Sequence, residues 1–179
     1  MGFEFLNLDE KTREYMLAEI KRDVEEGSLY MSDRLNSAGE LEYPGLLRSA
    51  AEAGSEVTLA ADIRDRGLLR ATETKRTPKG GITEAKIPVT AAQTLAEGEF
   101  NRFYVRALCA RVLDEGGSEV EVYRAKEVTS ARSESQRKIG TRADARKLLE
   151  DLRSRQGMDT ALGLPPGPNS GLSVKLIDA

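Results

Sequence analysis

Histidine is absent from the 179-residue chain, and its absence excludes several kinds of active site. Histidine is the most common zinc ligand and the usual general base near neutral pH. Without it, no nucleophile can be activated through a Ser/His or Cys/His pair. We therefore expect no metal centre and no cofactor, and a protein that works by binding is favoured over an enzyme.

Cysteine occurs once, as Cys109, and tryptophan does not occur at all. A single cysteine cannot form a disulfide bond or a multi-cysteine metal site within one chain. This composition suits a reducing compartment. Because Cys109 falls within a helical apolar pattern and has no histidine to activate it, we expect a small buried residue at this position.

An excess of positive charge and a long apolar run are also missing. The 27 Lys and Arg residues face 30 Asp and Glu residues, which gives a net charge of −3. No global attraction therefore draws the chain onto nucleic acid or anionic lipid. No apolar stretch approaches the length of a membrane span, and the acidic N-terminal residues do not fit a signal peptide. We predict a cytoplasmic protein, or a virion protein if the chain is of phage origin, without a membrane partner.

Helical spacing of apolar residues is the strongest pattern that the chain does contain. It recurs over residues 9–26, 90–115 and 141–152, and shorter helices are expected to begin at Pro44 and Ser55. The longest of these segments carries a cluster of aromatic side chains. We expect it to be the central element of the core.

Strand patterns occupy shorter stretches of the chain. Residues 69–77 and 82–89 are rich in threonine and isoleucine and are separated by Pro-Lys-Gly-Gly, which predicts a β-hairpin. Residues 119–126 alternate valine with charged neighbours, and we expect them to form a third strand beside the hairpin. The predicted fold class is α+β: mainly helical, with a long central helix packed on a small antiparallel sheet.

The C-terminal residues differ in composition from the rest of the chain. Residues 157–179 contain three of the six prolines and several glycines, a composition typical of irregular structure. We expect residues 1–156 to form a single globular domain and residues 157–179 to form an irregular C-terminal arm. The arm is expected to dock on the same chain or on a neighbour.

A carboxylate, a spacer and a lysine occur at Glu84 to Lys86 in the second predicted hairpin strand, with Asp62, Asp65 and Glu73 upstream. Such a set can hold Mg²⁺ for phosphodiester cleavage, and it resembles the PD-(D/E)XK nuclease pattern. The resemblance implies Glu84 and Lys86 as candidate catalytic residues. However, Asp62 and Asp65 fall in a predicted helix rather than at a strand end, and exposed strand charges are the preferred interpretation.

A second motif surrounds Tyr123 and Arg124, which precede a serine pair at Ser133 and Ser135. This arrangement resembles the arginine and serine motifs of ADP-ribosyltransferases. The later catalytic glutamate motif of that family is not found here. The preferred interpretation is structural, with Tyr123 partly buried and Arg124 paired with a nearby carboxylate.

Positive charge collects between residues 124 and 142, where it could meet phosphate groups. A solvated loop is the preferred interpretation of this region. The candidate nucleic-acid-binding residues are Arg132, Arg137, Lys138 and Arg142.

The long helix also contains Glu97 and Glu99. Residues two apart on a helix point to different faces, so these glutamates are poorly placed as a catalytic pair. We expect them to form salt bridges that flank the core.

Three segments of the chain carry a further resemblance. They are EGEFNRFYVRALCARVLDEG from residue 97, EVEVYRAKEV from residue 119 and LGLPPGPNSGLSVKL from residue 162. These segments are similar to short proteins, without a named function, of bacterial and prophage genomes. The resemblance implies a bacterial or phage origin and transfers no activity.

Two functions follow as hypotheses. The leading one is a non-enzymatic structural or protein-interaction component of a phage-like or other bacterial assembly, which binds a protein partner or a second copy of itself. The alternative is a metal-dependent nuclease or a nucleic-acid-binding factor. The residues predicted to bind the partner are Leu29, Tyr30, Met31, Leu164, Leu172 and Val174.

Overall fold

The computed structural model describes residues 2–129, 133–154 and 170–177. These residues form an α+β fold that is mainly helical, as expected. The helices are α1 (Glu10–Glu25), α2 (Ser37–Ala53), α3 (Glu56–Asp65), α4 (Ala91–Asp114), α5 (Ser133–Lys138) and α6 (Ala145–Ser154). The strands are β1 (Thr72–Arg76), β2 (Ile82–Lys86), β3 (Glu119–Arg124), β4 (Arg142–Asp144) and β5 (Leu172–Lys175).

Helix α4 forms the centre of the core because nearly its whole circumference is buried. Phe100, Phe103, Tyr104 and Leu108 are all excluded from solvent. The helix contacts α1, α3 and α6, and it also packs on β3 and β5. A helix that is apolar on most sides must lie between other elements. The expected central helix on a small antiparallel sheet is confirmed.

The strands form two separate sheets. β1 pairs with β2, and the second sheet has the order β4–β3–β5 with antiparallel pairs. The predicted hairpin is therefore present, but the expectation that residues 119–126 lie beside it is wrong. Val120 and Val122 are buried against the helices, and the polar hairpin has no apolar face that could continue this core.

Side-chain caps begin the helices where short polar residues precede them. Asp9 accepts a hydrogen bond from the backbone nitrogen of Thr12, and Ser55 accepts from the backbone of Val57 and Thr58. The expected start of α2 at Pro44 is wrong, because the capping side chain is that of Asn36. Pro44 instead lies inside α2, where the neighbouring core residues hold the helix together.

The end of the chain enters the core of the second sheet. Leu172 and Val174 on β5 are 3% and 0% exposed, and β5 pairs with β3 through residues 121–124. Gly171, before this strand, has a φ of +67°, and a Cβ added there would lie 2.2 Å from the carbonyl oxygen of Lys126. Part of the predicted irregular arm is therefore a core strand, whereas residues 157–169 and 178–179 lie outside the described residues.

Candidate functional site

The β1–β2 hairpin projects from the helices and the second sheet, which we call the body. Its open edges make it the first candidate for a binding element. Its five residue pairs run from Thr72 and Lys86 at the base to Arg76 and Ile82 at the tip. Among the described residues, neither outer edge of the hairpin pairs with another strand. An isolated two-stranded hairpin is marginally stable in water, so its attachment to the body matters.

An ion pair attaches the base of the hairpin to the body. The guanidinium of Arg34 donates two hydrogen bonds to Glu73, at 2.7 and 3.1 Å. Lys75 lies 3.1 Å from the same carboxylate. The hydrogen bonds from Arg34 and Lys75 hold the pKa of Glu73 below its usual range. This carboxylate is therefore engaged by two cations of the chain itself.

The predicted nuclease residues do not come together. The register places Glu84 opposite Thr74 and Glu73 opposite Ala85, so the two carboxylates lie on opposite faces of the hairpin. Glu84 accepts a hydrogen bond from the hydroxyl of Thr72. No group of three or more potential metal ligands occurs among the residues that the structure describes. Glu84 and Lys86 are exposed strand charges, which is the interpretation that the sequence favoured.

The tip of the hairpin, residues 75–83, carries Lys75, Arg76 and Lys79 and contains no acidic residue. All three cations are exposed. Arg76 and Lys79 form no ion pair within the described part of the chain. Because the whole chain has a net charge of −3 and the tip contributes +3, the remaining residues carry −6. The hairpin tip is therefore a positive element on a negative body.

A second candidate is a network of charged side chains buried between α4, α1 and α6. Arg106 on α4 is 0% exposed. Its guanidinium donates two hydrogen bonds of 2.7 Å to Asp23 and one of 2.9 Å to Glu19. Arg153 on α6 also donates to Glu19. The network joins three helices through the pairing of opposite charges.

The buried charges stabilise one another's ionised forms. Burial raises the pKa of Glu19, but the hydrogen bonds and charges of Arg153 and Arg106 outweigh it and leave the pKa below its usual value. For Arg106, burial lowers the pKa, yet Asp23 and Glu19 leave it raised above its ordinary value. The charged forms of Glu19 and Arg106 are thus stabilised. A network of this kind holds the three helices in register.

Glu99 on α4 is the exception within this region. Its carboxylate accepts a 3.2 Å hydrogen bond from Arg102, but its second oxygen has no hydrogen-bond partner among the described residues. Burial raises the pKa of Glu99, although Arg102 opposes the shift. The nearby Tyr43 hydroxyl is also buried without a hydrogen-bond partner in this part of the structure. Burying these two polar atoms without hydrogen bonds is unfavourable, and both atoms lie beside the ion network.

Sequence reasoning missed this network, although the chain carries a signal for it. Glu97 and Glu99 were expected at the edge of the core, but both are buried, and Glu97 pairs with Lys126 at 2.5 Å. Arg102 and Arg106 are spaced four apart in an otherwise apolar stretch. Glu19 and Asp23 have the same spacing on α1, so each set occupies one helix face. Matching spacings of opposite charge could have predicted the contact.

A third candidate is the surface formed by α1 and α2, which we call the α1–α2 face. A groove of about 610 Å³ lies between the two helices, and its apolar lining includes Leu17, Val24 and Pro44. Val24 is 49% exposed, and Leu41 on α2 is 84% exposed. Residues four apart share a helix face, so Leu41 projects beside the groove residue Gly45. The face combines an exposed apolar side chain with an apolar groove.

The residues predicted to bind a partner are dispersed. Leu29, Tyr30 and Met31 are each half-buried, and the first and last of these pack against the core. Leu172 and Val174 are core residues of this chain, which corrects their expected place on a docking surface. Buried side chains of a central sheet cannot contact a partner while the sheet is intact. The remaining predicted residue, Leu164, lies outside the described residues.

The residues of the predicted basic loop also have different surroundings in the structure. Arg137 and Lys138 are exposed on α5, and Arg142 on β4 lies 3.4 Å from Glu119. Arg132 lies outside the described residues. Arg124 donates a hydrogen bond to the backbone carbonyl of Ser170, and no carboxylate of the described residues pairs with it, contrary to expectation. Its guanidinium instead ties β3 to the segment that leads into β5.

The other predicted functional residues have structural contacts. Tyr123 is partly buried, as expected, and its hydroxyl donates a 2.6 Å hydrogen bond to the carbonyl of Glu4. Cys109 is buried, and burial raises the pKa of its thiol to about 12. A thiol with this pKa stays protonated at neutral pH and is a poor nucleophile.

Family models, curated proteins and solved structures were compared with the chain, and none of them matches it. The resemblance to bacterial and prophage proteins stays a prediction. Within the described residues, no helix is both long and apolar enough to cross a membrane.

Proposed function

We propose that this protein is a non-enzymatic structural component that binds a second copy of itself through the α1–α2 face. The observation that supports the proposal is that the exposed Leu41 lies one helical turn from Gly45, which lines the groove. A two-fold contact uses the same patch on both subunits. Each copy would therefore insert its Leu41 into the groove of the other.

The gain from this contact comes from removing apolar surface from water. Burying one exposed leucine side chain is worth roughly 1.5–3 kcal/mol, and a two-fold contact buries two of them. Val24, Leu17 and Pro44 supply the apolar surface that receives each Leu41. The contact therefore converts exposed side chains on both copies into one shared core.

Charges on the same face are compatible with a two-fold contact. The lining of the groove includes Glu25 on α1 and Arg48 on α2. In a two-fold arrangement, Arg48 of one copy can face Glu25 of the other, so two symmetric ion pairs form at the rim. Rim charges of this kind contribute orientation more than affinity.

Membership of a phage-like or other bacterial assembly belongs to the same proposal, since a self-binding component is what such an assembly requires.

The test is the mass of the protein in solution, measured by light scattering across a concentration series. The wild-type chain should approach twice the monomer mass of 19.6 kDa as concentration rises. Leu41→Glu should remain a monomer at every concentration, because a charge in the groove would be desolvated. Circular dichroism should show that the variant keeps its fold, since Leu41 is exposed in the monomer.

Val89→Glu is the matched control. Val89 is 97% exposed and precedes α4 rather than lying on the α1–α2 face, so the same loss of apolar surface should leave the dimer intact. A wild-type chain that stays monomeric throughout the series would overturn the proposal. So would a dimer that Leu41→Glu leaves unchanged.

A further inference from the structure

We infer that the hairpin tip binds the phosphate backbone of duplex DNA, a function that goes beyond self-association. The inference depends on the charge, shape and exposure of residues 75–83, which the α1–α2 face does not include. It assigns nucleic-acid binding to a part of the chain different from the basic stretch that ends at Arg142.

Two of the three charges of the tip are available to a ligand. Arg76 and Lys79 are exposed and form no ion pair within the described residues, so binding phosphate would not first break an internal contact. The two acidic residues of the hairpin, Glu73 and Glu84, lie nearer its base and are engaged by Arg34, Lys75 and Thr72. The hairpin pairs Lys75 with Glu73 but leaves the charges of Arg76 and Lys79 at the tip without an acidic partner among the described residues.

The shape of the hairpin fits a DNA groove. The major groove of B-DNA is about 12 Å wide and admits a two-stranded β-ribbon. Strands rise about 3.3 Å per residue, so the five paired residues of each strand extend roughly 15 Å from base to tip. Thr83 adds an exposed hydroxyl group beside the cations, and such groups commonly donate to phosphate oxygens. The deep, narrow major groove of duplex RNA would not admit the same ribbon.

The side chains of the hairpin favour nucleic acid over a protein strand. A partner strand that adds to a sheet edge gains specificity from pockets for its side chains. Within the paired strands, Ile82 and Ala85 are the apolar residues, and lysine on an edge strand opposes pairing with another strand. Phosphate binding, by contrast, needs exposed cations on a projecting element. The negative body would repel DNA, so contact would be confined to the tip.

The experiment measures fluorescence anisotropy of a labelled duplex of mixed sequence, titrated with the full-length protein at several salt concentrations. The variant carries Arg76→Glu together with Lys79→Glu. The matched control carries Arg137→Glu together with Lys138→Glu, which makes the same change in net charge at two exposed residues of α5. Thermal unfolding of each variant verifies that the fold is retained.

We expect the wild type to bind at about 50 mM salt and to weaken steeply towards about 200 mM, because bound cations release counterions from DNA. The tip variant should bind about tenfold more weakly or worse, and the slope of log Kd against log salt should fall by about 2 for two lost phosphate contacts. The α5 variant should bind within about threefold of the wild type, since its charges would act only at a distance.

Four outcomes would overturn the inference. They are no binding by the wild type at the lowest salt, equal weakening by both variants, weakening by the α5 variant alone, and equally tight binding of poly-glutamate. The last result would assign the tip to an acidic protein segment instead of DNA. The mass measurement with Leu41→Glu is independent of all four, so either proposal can fail while the other stands.

Discussion

Arg106 in the helical body and Arg76 in the hairpin are the same residue type in opposite surroundings. Arg106 is fully buried, and its guanidinium binds Glu19 and Asp23. Arg76 is exposed on the hairpin and forms no ion pair with the described residues. Burial makes a charge costly unless it is paired, so Arg106 is committed to holding helices together. Exposure leaves Arg76 hydrated and able to exchange water for a ligand.

Replacing each arginine with alanine should give the largest difference between the two regions in the free energy of unfolding. Arg106→Ala leaves Asp23 buried without its partner and Glu19 with Arg153 alone, and we expect a loss of about 3–5 kcal/mol in the free energy of unfolding. Arg76→Ala should change it by no more than about 0.5 kcal/mol, because the side chain is exposed. Urea denaturation of both variants measures the difference. A loss below about 1 kcal/mol for Arg106→Ala would show that the network does not stabilise the fold.

Two glycines with positive φ allow the body and the hairpin to be compared through the backbone. Gly171 and Gly80 have φ of +67° and +81°, and alanine in this region costs roughly 1–2 kcal/mol. Gly171→Ala should cost more than this strain alone, since its Cβ would meet the carbonyl oxygen of Lys126.

Gly80→Ala is the control for this substitution, because open space surrounds its Cβ position at the hairpin turn. Its cost should remain local to the hairpin and leave the global unfolding free energy nearly unchanged. Urea denaturation reports the global effect, and amide hydrogen exchange of β1 and β2 reports the local one. Equal global losses for the two glycines would mean that the hairpin and the body unfold as one unit.

Lowering the pH should reduce the free energy of unfolding by protonating Glu19. The expected effect is smaller than that of Arg106→Ala. The folded-state pKa of Glu19 lies below its ordinary value of 4.5. Its stabilising contribution is therefore present above pH 4.5 and is lost as the pH falls through the folded-state pKa. Glu99, whose pKa is raised, acts in the opposite direction, because protonation relieves the cost of burying its charge.

Unfolding free energies measured between about pH 6 and about pH 3 test this assignment. Glu19→Gln should reduce the dependence of stability on pH in this window. Glu14→Gln on the same helix should leave the dependence close to that of the wild type, since Glu14 is exposed. An unchanged pH dependence in Glu19→Gln would contradict the assignment of the acid response to this network.

The structure also changes how the C-terminal residues can be tested. Deleting the chain after residue 156 would remove β5, which pairs with β3 and buries Leu172 and Val174. A change in assembly state after such a deletion would report damage to the core as well as loss of a docking segment. Leu41→Glu leaves the core untouched and is the better test of self-association.

Local patterns in the chain were sufficient to predict α1, the hairpin and α4. Asp9 provides a cap, Pro-Lys-Gly-Gly provides a turn, and the apolar periodicity around Phe100 marks a buried helix. These signals act between residues close in sequence. They can therefore be interpreted without knowing which elements meet.

The candidate sites depended on contacts that local patterns do not contain. Glu19 and Arg106 are 87 residues apart along the chain. Strands β3 and β5 are also distant in sequence, since Val122 pairs with Val174. The packing of α1 beside α2 likewise places Leu41 next to a groove. Composition and periodicity determined which segments become helices and strands, whereas tertiary packing decided which charges are buried, which remain exposed and which surfaces can bind, because burial depends on neighbours distant in sequence.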